Sequence, residues 1–147
     1  MFKHILVPTD GSQFSQDAVR QAVSFAKETG AQITAFYAKP SPPIPYYGEG
    51  IGYNFEMPTK YNELVEKQAQ EILSFVENLC QQAGVSCTKL ESTSDIPYEA
   101  IIAAATQSKC DLIFMASHGR RGISALLLGS ETSKVLTHSK IPVLVYR

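Results

Sequence analysis

The feature that most constrains this chain is a strict alternation of short apolar runs with longer segments of helical periodicity, sustained from one end to the other. Lys3 to Val7 reads as a buried strand. Ser12 then caps a helix whose stripe of Ala18, Val19, Ala22, Val23 and Ala26 stops at Gly30. Gln32 to Ala38 is a second strand. A strongly periodic helix carries Leu64, Val65, Ala69, Ile72, Leu73, Val76, Leu79, Cys80 and Ala83 and ends at Gly84. Val85 to Leu90 is a third strand, and Asp95 with Pro97 opens a helix through Ala100, Ile101, Ala104 and Ala105. Asp111 to Ala116 is so apolar that it belongs in the middle of a sheet. A helix from about Ser130 to His138 and a last strand, Pro142 to Tyr146, complete the series.

Such alternation predicts an α/β fold, a parallel sheet with helices on both faces. The 147 residues suit one domain spanning positions 1 to 147. The stretch from Lys39 to Lys60 stands apart: four prolines precede Tyr46, Pro58 follows, and its glycines and tyrosines suit an irregular excursion. Open α/β sheets bind ligands beyond the carboxyl ends of their strands, where strand order reverses. An order of 3-2-1-4-5 puts that point between the first and fourth strands. Those strands run into the two most distinctive segments, Val7-Pro8-Thr9-Asp10-Gly11-Ser12 and Met115-Ala116-Ser117-His118-Gly119-Arg120-Arg121-Gly122.

The second segment has the character of an anion site. Gly119 is followed by nine residues and then by Gly129-Ser130 at a helix start. Glycine lets backbone approach a bulky anion, and a helix start offers N–H groups and the positive end of its dipole. Ser130 adds a hydroxyl donor, while Arg120 and Arg121 bring planar guanidinium groups suited to phosphate. Asp10 stands at the other lip, where a carboxylate can accept hydrogen bonds from ribose hydroxyls. The same residues also fit a plainer reading. Thr9 to Ser12 can be a turn with a helix cap, Gly119 and Gly122 turn glycines, and the two arginines solvated charge. His118 has no paired carboxylate or nucleophile in the sequence around it, and it reads as structural or solvated rather than as a base.

These segments resemble the universal stress protein family. Members of its ATP-binding branch carry a Gly-two-Gly-nine-Gly-Ser/Thr pattern, and here the string is Ala116-Ser117-His118-Gly119, nine residues, Gly129-Ser130. The Pro8-Thr9-Asp10-Gly11-Ser12 start and the Lys140-Ile141-Pro142-Val143-Leu144-Val145 ending are similar to the family as well. The resemblance implies a Rossmann-like, open, twisted five-stranded parallel sheet that dimerises through its last strand. It implies ATP as the ligand, with Mg²⁺ or Mn²⁺ held by the phosphates. By resemblance, Asp10 lies near the ribose and the backbone at Tyr37 meets adenine, with Pro8 and Thr9 counted among the nucleotide-binding residues. Met115, Gly119, Gly129, Ser130 and Glu131 surround sugar and phosphates; Arg120 joins the nucleotide-binding residues on the chemistry of its guanidinium. The first motif glycine is Ala116 here, a departure whose cost depends on the backbone angle at that position.

Several classes of function are disfavoured. A net charge of −1 does not suit a surface that neutralises nucleic-acid phosphates. No apolar run reaches the roughly 20 residues that span a bilayer, and the amino terminus reads as a strand rather than a secretory signal. Cys80, Cys87 and Cys110 lack metal-ligand spacing and read as reduced thiols of a cytoplasmic protein. Phosphate-loop, GxGxxG, GxSxG and HExxH motifs are absent from the sequence, so any ATP hydrolysis is expected to be slow. Two readings follow. One is a stress-response regulator that binds ATP, acts as a homodimer and signals to a protein partner. The other is a dimeric interaction module whose pocket takes no nucleotide.

Overall fold

The computed structural model of the chain describes residues 1–43, 56–119 and 127–147. Five strands alternate with four helices: β1 (His4–Pro8), α1 (Gln13–Thr29), β2 (Gln32–Lys39), α2 (Glu56–Ala83), β3 (Cys87–Thr93), α3 (Pro97–Gln107), β4 (Leu112–Ala116), α4 (Ser130–His138) and β5 (Val143–Tyr146). All strand pairs are parallel, as the alternation predicts, and the order is β3-β2-β1-β4-β5.

The period-two side-chain alternation of the strands divides the core into two layers. Ile5 and Val7 of β1, Ile33 and Ala35 of β2, and Leu112 and Phe114 of β4 face α1 and α2, against Val19, Ala22, Val23, Leu73 and Val76. Leu6, Phe36, Ile113 and Met115 face the other way, against Ile101, Ala104 and Ala105 of α3 and Val135 of α4. Every residue of β4 is buried, which accounts for its unbroken apolar run. Each large aliphatic side chain in these layers contributes about 1.5–3 kcal/mol of burial.

Strand ends shift by one residue, and local details depart further from the sequence reading at β3, at the start of α3 and in the excursion after β2. β3 begins at Cys87 rather than Val85 and continues through Glu91 to Thr93. Val85 belongs to the turn, its N–H donating to the Cys80 carbonyl, and the polar end of β3 stays in register because β2 offers partners as far as Lys39. Asp95 does not cap α3. The N-cap is Ile96, and the Asp95 carboxylate accepts a hydrogen bond from Ser41 N at 3.0 Å. The excursion expected from Lys39 to Lys60 is shorter than its composition suggests, since β2 runs through Lys39 and α2 already starts at Glu56. Residues 44–55 of that excursion lie outside the described residues. Ser12 does cap α1, its hydroxyl accepting from Ser15 N.

Candidate functional site

At the carboxyl ends of β1, β2 and β4 the chain opens a cleft of about 540 Å³. Its volume lies within the usual range for small-molecule sites, roughly 300–1,000 Å³. One wall is the turn after β1. Gly11 takes φ 79°, in the left-handed region that favours glycine. Around it Thr9 Oγ1 accepts from Gly11 N at 3.2 Å, and Asp10 Oδ1 accepts from Ser12 N at 2.9 Å and from Ser15 Oγ at 2.8 Å. Two donors thus fix the Asp10 carboxylate at the lip, and the buried Thr9 is tied to β2 by its N–H bond to the Phe36 carbonyl.

The opposite wall is formed by residues at the end of β4 and at the start of α4, among them His118, Gly119 and Gly129. Gly119 sits so close to Asp10 that an added Cβ would stand 2.5 Å from Asp10 Oδ2. Gly129 donates its N–H to the Ser117 carbonyl at 2.7 Å, and a Cβ there would lie 3.1 Å from that carbonyl oxygen and 3.3 Å from His118 Cα. A Cβ would thus press on the Asp10 carboxylate at Gly119 and more lightly on backbone at Gly129. Gly129 is the N-cap of α4 and brings no side-chain cap, so the first turn of α4 opens on the cleft with Ser130 as its first residue. Ser130 consequently starts the helix without capping it.

Ala116, where the family pattern has glycine, is the last residue of β4, paired with Tyr146. Its φ is not positive: Lys109 is the one non-glycine residue with positive φ among the described residues. Alanine is unstrained at this position. Its carbonyl accepts from Thr132 Oγ1 at 2.9 Å, a buried bond tying the first turn of α4 to the end of β4.

Of the residues singled out from the sequence, Pro8, Thr9, Asp10, Tyr37, Met115, Gly119, Gly129, Ser130 and Glu131 all line the cleft. Arg120 and Arg121 lie outside the described residues. Two of the nine have further duties. Tyr37 packs its ring into the core layer facing α1 and α2. Glu131 Oε2 accepts from Tyr98 N at 2.9 Å, so its carboxylate stands at the amino end of α3, where the missing Asp95 cap would have been. The sequence reading missed Ser15, which positions Asp10, and Thr132, which locks α4. Both are buried hydroxyls on helical faces otherwise apolar, and that pattern was the available signal. His118 is buried, with Nδ1 3.0 Å from Ser117 Oγ and its ring 6.0 Å from that of Phe14, which agrees with a structural role.

Among the described residues no group of three or more His, Cys, Asp or Glu side chains is arranged to hold a metal ion, and no helix is long and apolar enough to cross a membrane.

The whole chain, residues 1–147, matches the profile of the universal stress protein family. A universal stress protein of Methanocaldococcus jannaschii is 33% identical over 147 residues, covering all of this chain and 83% of that protein. A second protein of that archaeon has a solved structure that superposes with a TM-score of 0.77 at 26% identity, over 99% of this chain and 95% of the other. A universal stress protein solved in complex with cAMP gives a TM-score of 0.72 at 22% identity over 99% and 97% of the two chains. Fold relatives at 16% identity from Archaeoglobus fulgidus and Arabidopsis thaliana were solved with dAMP and with AMP, at TM-scores of 0.66 and 0.67. With the strand order, the cleft and the family match in agreement over its full length, the chain belongs to the universal stress protein family.

Proposed function

We propose that this chain is a stress-response regulator that binds ATP in the cleft between the β1 turn and the segment leading into α4. The observation that carries the reading is the amino end of α4. It opens on the cleft, lacks a side-chain cap at Gly129, and faces the carboxylate of Asp10 across the opening. An uncapped helix start favours a phosphate, and a fixed carboxylate accepts from ribose hydroxyls.

Adenine lies against the backbone around Tyr37, between the ends of β2 and α3, where Phe36, Ala38 and Ile101 offer apolar surface. Asp10 takes the ribose, with Pro8, Thr9 and Met115 shaping the floor. The phosphates lie along Gly119, Gly129 and Ser130. Glu131 contributes there through its position in the first turn, since its carboxylate is engaged at Tyr98. Arg120 is the guanidinium assigned to the phosphates. Mg²⁺ or Mn²⁺ enters on the phosphates themselves. The solved relatives that hold cAMP, dAMP and AMP support an adenine nucleotide as the ligand class.

The regulator works as a cytoplasmic homodimer paired through β5, an edge strand whose four residues are all half-buried. Nucleotide then acts by binding two arrangements of loop or dimer unequally, which reports its presence to a partner protein.

Calorimetric titration of nucleotide-stripped protein with ATP and Mg²⁺, beside a Gly119→Glu variant, tests this reading. Binding by the native chain and its loss in a variant that keeps its circular dichroism are expected. No binding at millimolar ATP would refute the reading and favour an interaction module whose cleft takes no nucleotide.

A further inference from the structure

On the β2 side of the cleft the wall is built where the chain leaves β2 and β3, by Pro40, Asp95 and Pro97. Hydrogen bonds tie these two exits together. Ser94 N donates to the Lys39 carbonyl at 2.9 Å, and Ser41 N donates to Asp95 Oδ1 at 3.0 Å. Ser41 is also bonded to α2, since its carbonyl accepts from the Tyr61 hydroxyl at 3.2 Å. Further along α2, Glu66 Oε2 stands 3.1 Å from Lys39 Nζ, which meets Glu91 Oε1 of β3 at 3.0 Å as well. Lys39 and Ser41 thus join the cleft wall to the helix. Tyr61 and Glu66 themselves stand outside the cleft lining.

α2 is anchored unevenly along its length. Its later turns bury Ala69, Ile72, Leu73, Val76 and Cys80 in the core. In the stretch 59–66 Val65 alone is buried, and Leu64 is 63% exposed. A helix start is costly to form and takes most of its stability from tertiary contact. A segment with few buried apolar contacts lies at the low end of the range of local opening free energies. The contacts of Tyr61 and Glu66 with the end of β2 therefore weigh heavily in keeping this stretch closed. They are only as well fixed as the wall to which they attach.

We propose that occupancy of the cleft is relayed through Asp95 and Ser41 to the stretch 59–66 of α2, which makes that stretch the element that reports bound nucleotide. The relay rests on the nucleotide reading of the cleft and names its output. A ligand seated against Pro40 and Asp95 restrains the exits of β2 and β3. The Ser41 carbonyl is then held in place for Tyr61, and the Lys39 ammonium for Glu66. Closing the helix start costs less conformational entropy once its partners are already ordered. Coupling of binding equilibria is reciprocal, so a closed α2 in turn favours the ligand.

The test is hydrogen–deuterium exchange read by mass spectrometry on the full, nucleotide-stripped chain with and without saturating ATP and Mg²⁺, with calorimetry on the same samples to establish binding. ATP is expected to slow exchange of the amides in 59–66 at least about fivefold, the lower end of typical coupling between sites. Tyr61→Phe removes one hydroxyl outside the cleft. It is expected to bind ATP and to lose that response, with exchange in 69–80 matching the native chain and so showing an intact fold. ATP that binds without slowing 59–66 would overturn the relay and leave the nucleotide reading standing. The full response in Tyr61→Phe would do the same. No binding in the calorimeter would overturn the nucleotide reading, and the relay with it.

Discussion

Gly119 and Asp10 face each other across the mouth of the cleft so closely that one methyl group on the glycine would come within 2.5 Å of the aspartate Oδ2. The carboxylate cannot swing aside freely, because its other oxygen holds Ser12 N and Ser15 Oγ. The two lips are thus built as a single unit, with the glycine selected by the carboxylate it touches.

Gly119→Ala is therefore expected to displace Asp10 even though alanine is small. Overpacking of this kind costs about 1–3 kcal/mol. ATP affinity should fall at least about tenfold, the equivalent of about 1.4 kcal/mol. Calorimetry and a urea melt of the same variant read the two effects; unchanged affinity would show that Asp10 does not serve the ribose.

Ala116→Gly restores the family's glycine, yet it is expected to bring no gain in nucleotide affinity. The backbone there is not in the left-handed region, so the methyl group of Ala116 relieves no strain when it is removed. The substitution should instead lower stability by about 0.5–1 kcal/mol through added freedom in the unfolded chain. A large rise in affinity measured by the same titration would contradict this.

Gly129→Ala tests a different constraint. Its φ of −61° suits any residue, but a Cβ would press on the Ser117 carbonyl and on His118 Cα. These are backbone atoms, and they yield less readily than a side chain. A loss of about 1–3 kcal/mol in chemical denaturation is expected.

Glu131→Ala should remove the acceptor at the start of α3, where Tyr98 N now donates to it, at a cost of about 1 kcal/mol. Glu131→Gln keeps an amide oxygen in place and should recover most of that loss. If the carboxylate served the nucleotide instead, both variants would alter affinity more than stability.

Asp95 gives the fold a small acid sensitivity. Bonds from Ser41 hold its carboxyl below the ordinary carboxylate range, so its folded pKa is lower than its unfolded one. The stabilisation is complete above the unfolded value of about 4 and is lost as pH falls through the folded value. The melting temperature of Asp95→Ala should lie below that of the native chain at neutral pH, and the gap should close on acidification. A gap that is independent of pH would refute the assignment.

Much of the fold is legible in the sequence because the α/β pattern is local. Stripes such as Val19, Ala22, Val23 and Ala26, and the unbroken apolar run of β4, announce helix and central strand without reference to the rest of the chain. The turn around Asp10 and Ser12 is equally local, its hydrogen bonds spanning only a few residues. The limits of β3 are not local. They are set by β2, which supplies backbone partners through polar residues that no hydrophobic pattern would extend.

What the sequence by itself determined is the series of strands and helices, the two-faced core and the two loops most apt for chemistry. Only the tertiary structure decided that Gly119 touches Asp10, that Glu131 rather than Asp95 meets the start of α3, and that Ala116 is unstrained. Periodicity and turn chemistry depend on neighbours along the chain. Close approach, by contrast, depends on how separately encoded elements pack, and a carboxylate takes its partner from whatever that packing brings within reach.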